Sequence, residues 1–193
     1  MEPLRGNDGC CRGLPRVALG GCAAALTLGF GIKPLRGREE RQVSQSLAQI
    51  YLHVVFSTKE RRRFLQDNSI REESHKYLGG ACNNLDCPVL RVGGVADHVH
   101  ILCRFGRSIS VADLVKELKR DSSQWLKTKA RDLADFYWQS GYGAFSVSPG
   151  HVEVLRAYIA NQEEHHRTET FQDEFRRLLT KYGLEWDERY VWD

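Results

Sequence analysis

Methionine is almost missing from this chain: Met1 is the only one in 193 residues. None of its six cysteines (Cys10, Cys11, Cys22, Cys82, Cys87 and Cys103) forms a Cys-x-x-Cys pair. A structural zinc site built on paired thiolates is therefore not expected, and Cys82, Cys87 and Cys103 read as buried thiols of a reducing compartment. No apolar run reaches the ~20 residues that a membrane-spanning helix needs. The longest, residues 17–32, is cut by four glycines. The chain also lacks the Arg/Lys-Gly-Phe-x-Phe strand of RNA-recognition sheets. A strong charge of one sign is missing too, since the net charge is only +3. Any nucleic-acid partner must then be held by local groups and not by a broad field.

The charge that is present is unevenly placed. Residues 1–43 hold seven basic and four acidic residues, and the remainder holds 21 of each. The first segment is rich in Gly, Pro and Arg, and its composition changes abruptly near Val43. Because bacterial genes can start at a valine codon, residues 1–43 are expected to be an extension from a gene start set too far upstream. Residues 44–193 are expected to form the single folded domain.

Within that domain, Ile50, Leu52, Val54 and Phe56 alternate with Tyr51, His53, Val55 and Ser57, the period of a strand. Asp67 or Asn68 caps a helix running to about residue 83, and residues 83–88 form a turn cluster. A short strand over 89–92 is broken by Gly93-Gly94, and a second runs over 98–105. Ser110 caps a long helix whose stripe includes Val111, Leu114, Val115 and Leu118. A strand at 144–147 follows. Ser148-Pro149 opens a helix carrying Val152, Leu155 and Ile159, and a last helix begins at Phe171. The order β-α-β-β-α-β-α-α predicts an α+β fold: a ferredoxin-like or RRM-like antiparallel sheet with helices mainly on one face.

Two constellations carry chemistry. His98 and His100 are two apart on a strand, so both imidazoles leave the same face and can share a divalent metal, while Val99, Ile101 and Cys103 face the core. Tyr158 and Gln162, four apart, share a helix face. Together they form a set suited to phosphodiester chemistry. Two imidazoles and an amide oxygen hold an ion that neutralises the phosphate, and a phenol attacks phosphorus. A mixed His/Gln shell with open positions points to Mg²⁺ or Mn²⁺. Arg61, Arg62, Arg63, Lys116, Lys119 and Arg120 are candidate backbone-phosphate contacts. Trp125, Tyr137, Trp138 and Tyr142 are read chiefly as core residues. His165 and His166 follow closely enough to approach the site, and His53 and His151 receive no role.

The set Asp97-His98-Val99-His100 with Tyr158-Ile159-Ala160-Asn161-Gln162 resembles the HUH-superfamily single-tyrosine transposases of small bacterial insertion sequences. The branch associated with repetitive extragenic palindromes (REP) is included. The 44–193 stretch carries the resemblance, including Glu164-His165-His166-Arg167 and Phe171-Gln172-Asp173-Glu174-Phe175. It implies a cytoplasmic bacterial homodimer with no membrane association. It also implies cleavage and rejoining of single-stranded DNA at hairpin-bearing ends through a 5′-phosphotyrosine, with Tyr158 acting in its own or its partner's site. Two alternatives stay open: a domesticated relative acting on chromosomal palindromes, and a hairpin-binding module without catalysis.

Overall fold

The computed structural model describes residues 47–189, 191 and 192. The expectation for residues 1–43, and with it Cys10, Cys11 and Cys22, lies outside the described residues. Four strands, β1 (Tyr51–Ser57), β2 (Val89–Gly94), β3 (His98–Arg104) and β4 (Gly143–Val147), form one sheet in the order β2-β3-β1-β4. Every neighbouring pair is antiparallel. Helices α1 (Asn68–Asn84) and α2 (Val111–Lys127) connect the strands, and α3 (Val152–Ala160), α4 (Gln162–His165) and α5 (Phe171–Lys181) follow β4. The α+β, ferredoxin-like order expected from the sequence is the one observed.

The period of two divides the sheet into unlike faces. Leu52, Val54 and Phe56 of β1 and Val99, Ile101 and Cys103 of β3 point into the main core, against Leu78, Leu114, Val115 and Leu118 of α1 and α2. Both 17-residue helices cover this face. Asp67 caps α1 by accepting from the Ile70 amide, and Ser110 caps α2 by accepting from Asp113. Cys82, Cys87 and Cys103 are free and buried, as expected. Of the four aromatics read as core, Trp138 is buried and Trp125 stacks on Tyr77 at the core edge. Tyr137 and Tyr142 are exposed.

The other face is not bare. Val55 and Phe145 meet Phe171, Phe175, Leu178 and Leu179 of α5, while Leu102 meets Val152 and Ile159 of α3. These shorter helices thus add a third layer, and His98 and His100 lie beneath it.

Three local departures from expectation matter for that layer. Gly93 and Gly94 do not break β2 but belong to it. A side chain at Gly93 would put its Cβ 2.3 Å from the Ile159 carbonyl oxygen, so the absence of one lets the α3 backbone lie directly on the strand. Gly94 has φ +150°, and a Cβ there would meet the His98 carbonyl oxygen at 2.2 Å. Finally, the helix carrying Tyr158 stops at Ala160, turns at Asn161 and restarts at Gln162, so Tyr158 and Gln162 sit on successive short helices.

Candidate active site

β3 places the His98 and His100 imidazoles side by side on the inner face of the α3–α5 layer, with ring centroids 5.1 Å apart and both residues fully buried. From the helical layer above this face come Gln162 and His166, at the two ends of α4, and from α5 comes Glu174. Gln162 Oε1 lies 3.4 Å from His98 Nε2 and 2.9 Å from His166 Nε2, and Gln162 Nε2 donates to Glu174 Oε1 at 3.3 Å. Glu174 Oε2 is 3.1 Å from His166 Nε2 and 3.7 Å from His98 Nε2, and Glu174 Oε1 is 3.4 Å from His100 Nε2. One ligand atom from each of His98, His100, His166 and Glu174 lies within 4.8 Å of all the others. The Tyr158 hydroxyl donates to Glu174 Oε1, lies 3.2 Å from His165 Nε2, and accepts from Arg177 at 3.3 Å. Phe171 stacks on His98 as an apolar wall.

Each imidazole of the cluster is held from behind through Nδ1. The Asp97 carboxylate lies 2.7 Å from His98 Nδ1, the Glu169 carbonyl 2.8 Å from His166 Nδ1, and His53 Nε2 3.0 Å from His100 Nδ1. Carboxylate and carbonyl can only accept, so His98 and His166 each carry a proton on Nδ1, and His166 Nε2, which faces the Gln162 amide oxygen and the Glu174 carboxylate, donates to them as well. His100 Nε2 has no hydrogen-bond partner among the described residues.

Electrostatics follow the same geometry. Burial and the flanking imidazoles hold His53 and His100 below the ordinary histidine value, the nearby Glu174 charge opposing only part of this. Burial would raise Glu174, but His100, His166 and His98 outweigh it and keep the carboxylate well below its usual range, hence ionised. Burial lowers His166, yet its hydrogen bond to Glu174 leaves it net raised. Burial and the adjoining Glu174 charge push the Tyr158 phenol up.

The four residues first singled out, His98, His100, Tyr158 and Gln162, therefore meet within one chain. The basic candidates do not all join them. Arg63 lines a cleft of about 390 Å³ with Asp97, His166 and Phe171. Arg61 and Arg62 precede Arg63 in the same loop, resting over the Trp192 and Phe64 rings. Lys116, Lys119 and Arg120 are on α2, across the sheet from the histidines. Lys119 Nζ donates to the Gln139, Ser140 and Gly141 carbonyls at 2.9, 3.2 and 2.7 Å, which uses all three of its protons to close a loop. Arg120 pairs with Glu117 and Asp121. Tyr158, Arg177, Lys181 and His151 line a second cleft of about 460 Å³, which brings the phenol to an open surface.

His53 and Glu174 were not singled out from the sequence, yet a signal existed for Glu174. It stands in the apolar stripe Phe171, Phe175, Leu178 of α5, where a carboxylate has no reason to be unless it meets polar partners. His53 carries no such mark. Its place follows from a strand register that pairs its neighbour Val55 with His100.

Fold and cluster together describe a buried histidine–carboxylate centre with a tyrosine against it, set on a ferredoxin-like sheet. The IS200-like transposase family model matches residues 46–162, and the chain belongs to that family. That match spans His98, His100, Tyr158 and Gln162 and ends before His166 and Glu174. Among solved structures, a candidate transposase from Deinococcus radiodurans R1 is 20% identical, with a TM-score of 0.49 over 63% of this chain and 97% of the other. A REP-associated tyrosine transposase bound to a REP hairpin is 10% identical, with a TM-score of 0.47 over 65% and 73%. No curated protein sequence matches. Among the described residues no helix is long and apolar enough to cross a membrane.

Proposed function

We propose that this chain cleaves and rejoins single-stranded DNA at hairpin-bearing ends through a 5′-phosphotyrosine on Tyr158. One observation carries the reading: the Tyr158 hydroxyl hydrogen-bonds Glu174, and the same carboxylate lies against His98 and His100. Nucleophile, acid–base partner and imidazole pair are then one connected unit on a single chain, on a family whose business is DNA transposition.

The residues fit a divalent ion. Nε2 of His100 is buried with no hydrogen-bond partner among the described residues, and one ligand atom from each of His98, His100, His166 and Glu174 lies within 4.8 Å of all the others. His98 and His100 would hold the ion with Gln162, and such an ion polarises a phosphodiester oxygen and offsets its charge. The chain's own groups do the rest. Tyr158 presents its oxygen at the open cleft, and Glu174 Oε1 is the acceptor to which the phenol proton passes. The tyrosine oxygen bonds to phosphorus as the bond from phosphorus to the 3′ oxygen breaks, and that oxygen leaves as a protonated hydroxyl. The phosphoester bond is conserved, so a second 3′ hydroxyl can displace Tyr158 without ATP. Arg61, Arg62 and Arg63, beside the Asp97 cleft, are the backbone-phosphate contacts of choice. We expect a homodimer in which each chain supplies its own Tyr158.

The test is a labelled single-stranded hairpin end incubated with the protein and Mg²⁺ or Mn²⁺. A covalent protein–DNA adduct should form, disappear in Tyr158→Phe, and fall sharply in His100→Ala. Equal cleavage by Tyr158→Phe would end this reading.

A further inference from the structure

Three groups around the Tyr158 hydroxyl lie beyond residue 162, where the family match ends. α5 carries Arg177, α4 ends on His165, and the turn between the two helices holds Glu169. We propose that Arg177 is a catalytic residue in both directions of the reaction: its guanidinium donates to the Tyr158 oxygen and takes up the negative charge which that oxygen develops when it attacks phosphorus and again when it leaves. This rests on the reading of Tyr158 as the nucleophile and adds the group that carries its charge.

Few protons are available around the phenol, and each has one place to go. The Glu169 carboxylate can only accept. It takes Arg177 Nε on Oε1 at 3.1 Å and Nη2 on Oε2 at 2.7 Å, the two-pronged pairing that fixes a guanidinium plane. The same Oε2 is in contact with His165 Nε2, so that nitrogen carries a proton and gives it to the carboxylate. It cannot then accept, either from Arg177 Nη2 or from the phenol, each 3.2 Å away. The phenol proton is left to Glu174 Oε1. The second Nη2 proton is left to the Tyr158 oxygen, 3.3 Å away. The nucleophile thus has a base on one side and a fixed cation on the other. Stability alone does not call for this, because the Arg177 side chain is 51% exposed and exposed ion pairs contribute little. A donor in place before charge appears needs no rearrangement during the step. A guanidinium also keeps its protons throughout, and its fork is rigid. Glu169 is the positioning residue.

The steps balance around an unchanged Arg177. In cleavage the phenol proton passes to Glu174, the bond from Tyr158 to phosphorus forms, and the 3′ oxygen departs, taking a proton from water. In rejoining the incoming 3′ hydroxyl gives its proton to water, the bond from Tyr158 to phosphorus breaks, and Glu174 returns the proton to the phenol. Arg177 matters most where a phenolate has to leave.

The experiment uses the full chain with Mg²⁺ or Mn²⁺ and a labelled single-stranded hairpin end. It measures two single-turnover rates: adduct formation, and release of the isolated adduct by a strand bearing a 3′ hydroxyl. Arg177→Ala should slow both by on the order of 100-fold, as loss of one donor to a developing oxyanion does. Its hairpin affinity and thermal unfolding should stay near those of the wild type. Guanidinium ion, added far below denaturing concentrations, should raise the rates of Arg177→Ala and leave the wild type unchanged. Difluorotyrosine in place of Tyr158 is a better leaving group, so it should narrow the gap in the rejoining rate, which a merely structural loss would not show. Glu169→Gln should lose less than Arg177→Ala and be helped by the same fluorinated phenol. Equal rates in Arg177→Ala, a loss matched by weaker hairpin binding, or a gap that neither guanidinium nor the fluorinated phenol narrows would overturn the role of Arg177 and leave Tyr158 as the nucleophile. A wild-type adduct that persists in Tyr158→Phe would overturn the nucleophile, and the role of Arg177 with it.

Discussion

Single side chains in this protein are asked to do unlike things within a few ångströms. His75 offers a clean case away from the cluster. It packs beside Arg71 and Arg91 with Nε2 lacking a hydrogen-bond partner among the described residues. Burial, and then those two cations, lower its pKa to about 4 from the ordinary 6.5. The folded state therefore binds fewer protons than the unfolded state between about pH 6.5 and 4. The stability associated with neutral His75 is full above pH 6.5 and is lost as pH falls through that window. The linkage amounts to about 2 kcal/mol between pH 8 and pH 5. Chemical denaturation at both pH values should show His75→Gln losing about 2 kcal/mol less than the wild type over that interval. An identical loss would mean that His75 does not charge on unfolding.

At the scale of elements, the contact that matters is α3 on β2. Gly93→Ala would press a methyl group into the Ile159 carbonyl and side chain, at 2.3 and 2.8 Å. The cheapest relief is to lift α3, which carries Tyr158. We expect Gly93→Ala to cost 1–3 kcal/mol of stability, about the usual range for overpacking, and to reduce adduct formation well beyond what its residual folded fraction explains. Adduct yield normalised to folded protein is the measurement, and unchanged normalised yield would show that α3 tolerates displacement. Sequence reading took Gly93-Gly94 for a strand break because glycine weakens strands locally. What it could not contain is the backbone of residue 159 arriving from across the fold. The helix caps at Asp67 and Ser110 were legible because capping is settled within four residues. The break at Asn161 was not legible, since nothing in Tyr158-Ile159-Ala160-Asn161-Gln162 stops a helix by itself.

For the whole molecule, the order of elements along the chain and the two-faced alternation of β1 and β3 could be read from the sequence, as could the meeting of His98, His100, Tyr158 and Gln162. Which distant groups would finish the site could be read only for His166, which follows Tyr158 closely; His53 and Glu174 reach it through strand register and the docking of α5, both set by tertiary packing. All of these residues come from one chain, and this has a consequence for assembly. In a mixture of Tyr158→Phe protein with His98→Ala/His100→Ala protein, no subunit has both halves of a cis site. We expect such mixtures to remain inactive in the adduct assay after subunit exchange. Recovery toward a quarter or more of wild-type adduct would mean that the tyrosine works across a dimer.

The alternation His98, Val99, His100, Ile101 also ties two properties that are usually separable. Because one strand writes the core on its odd residues and the buried histidine pair on its even ones, inserting or deleting a single residue before His98 would exchange them wholesale, driving imidazoles into the apolar core and valine into the layer of Gln162 and Glu174. The chain can therefore drift by substitution on either face but not by a one-residue change in length between β2 and β3. The three-residue connection 95–97, with the Val95 amide donating back to the His98 carbonyl at 3.2 Å, is in this sense the frame marker from which the placing of the histidine pair is read.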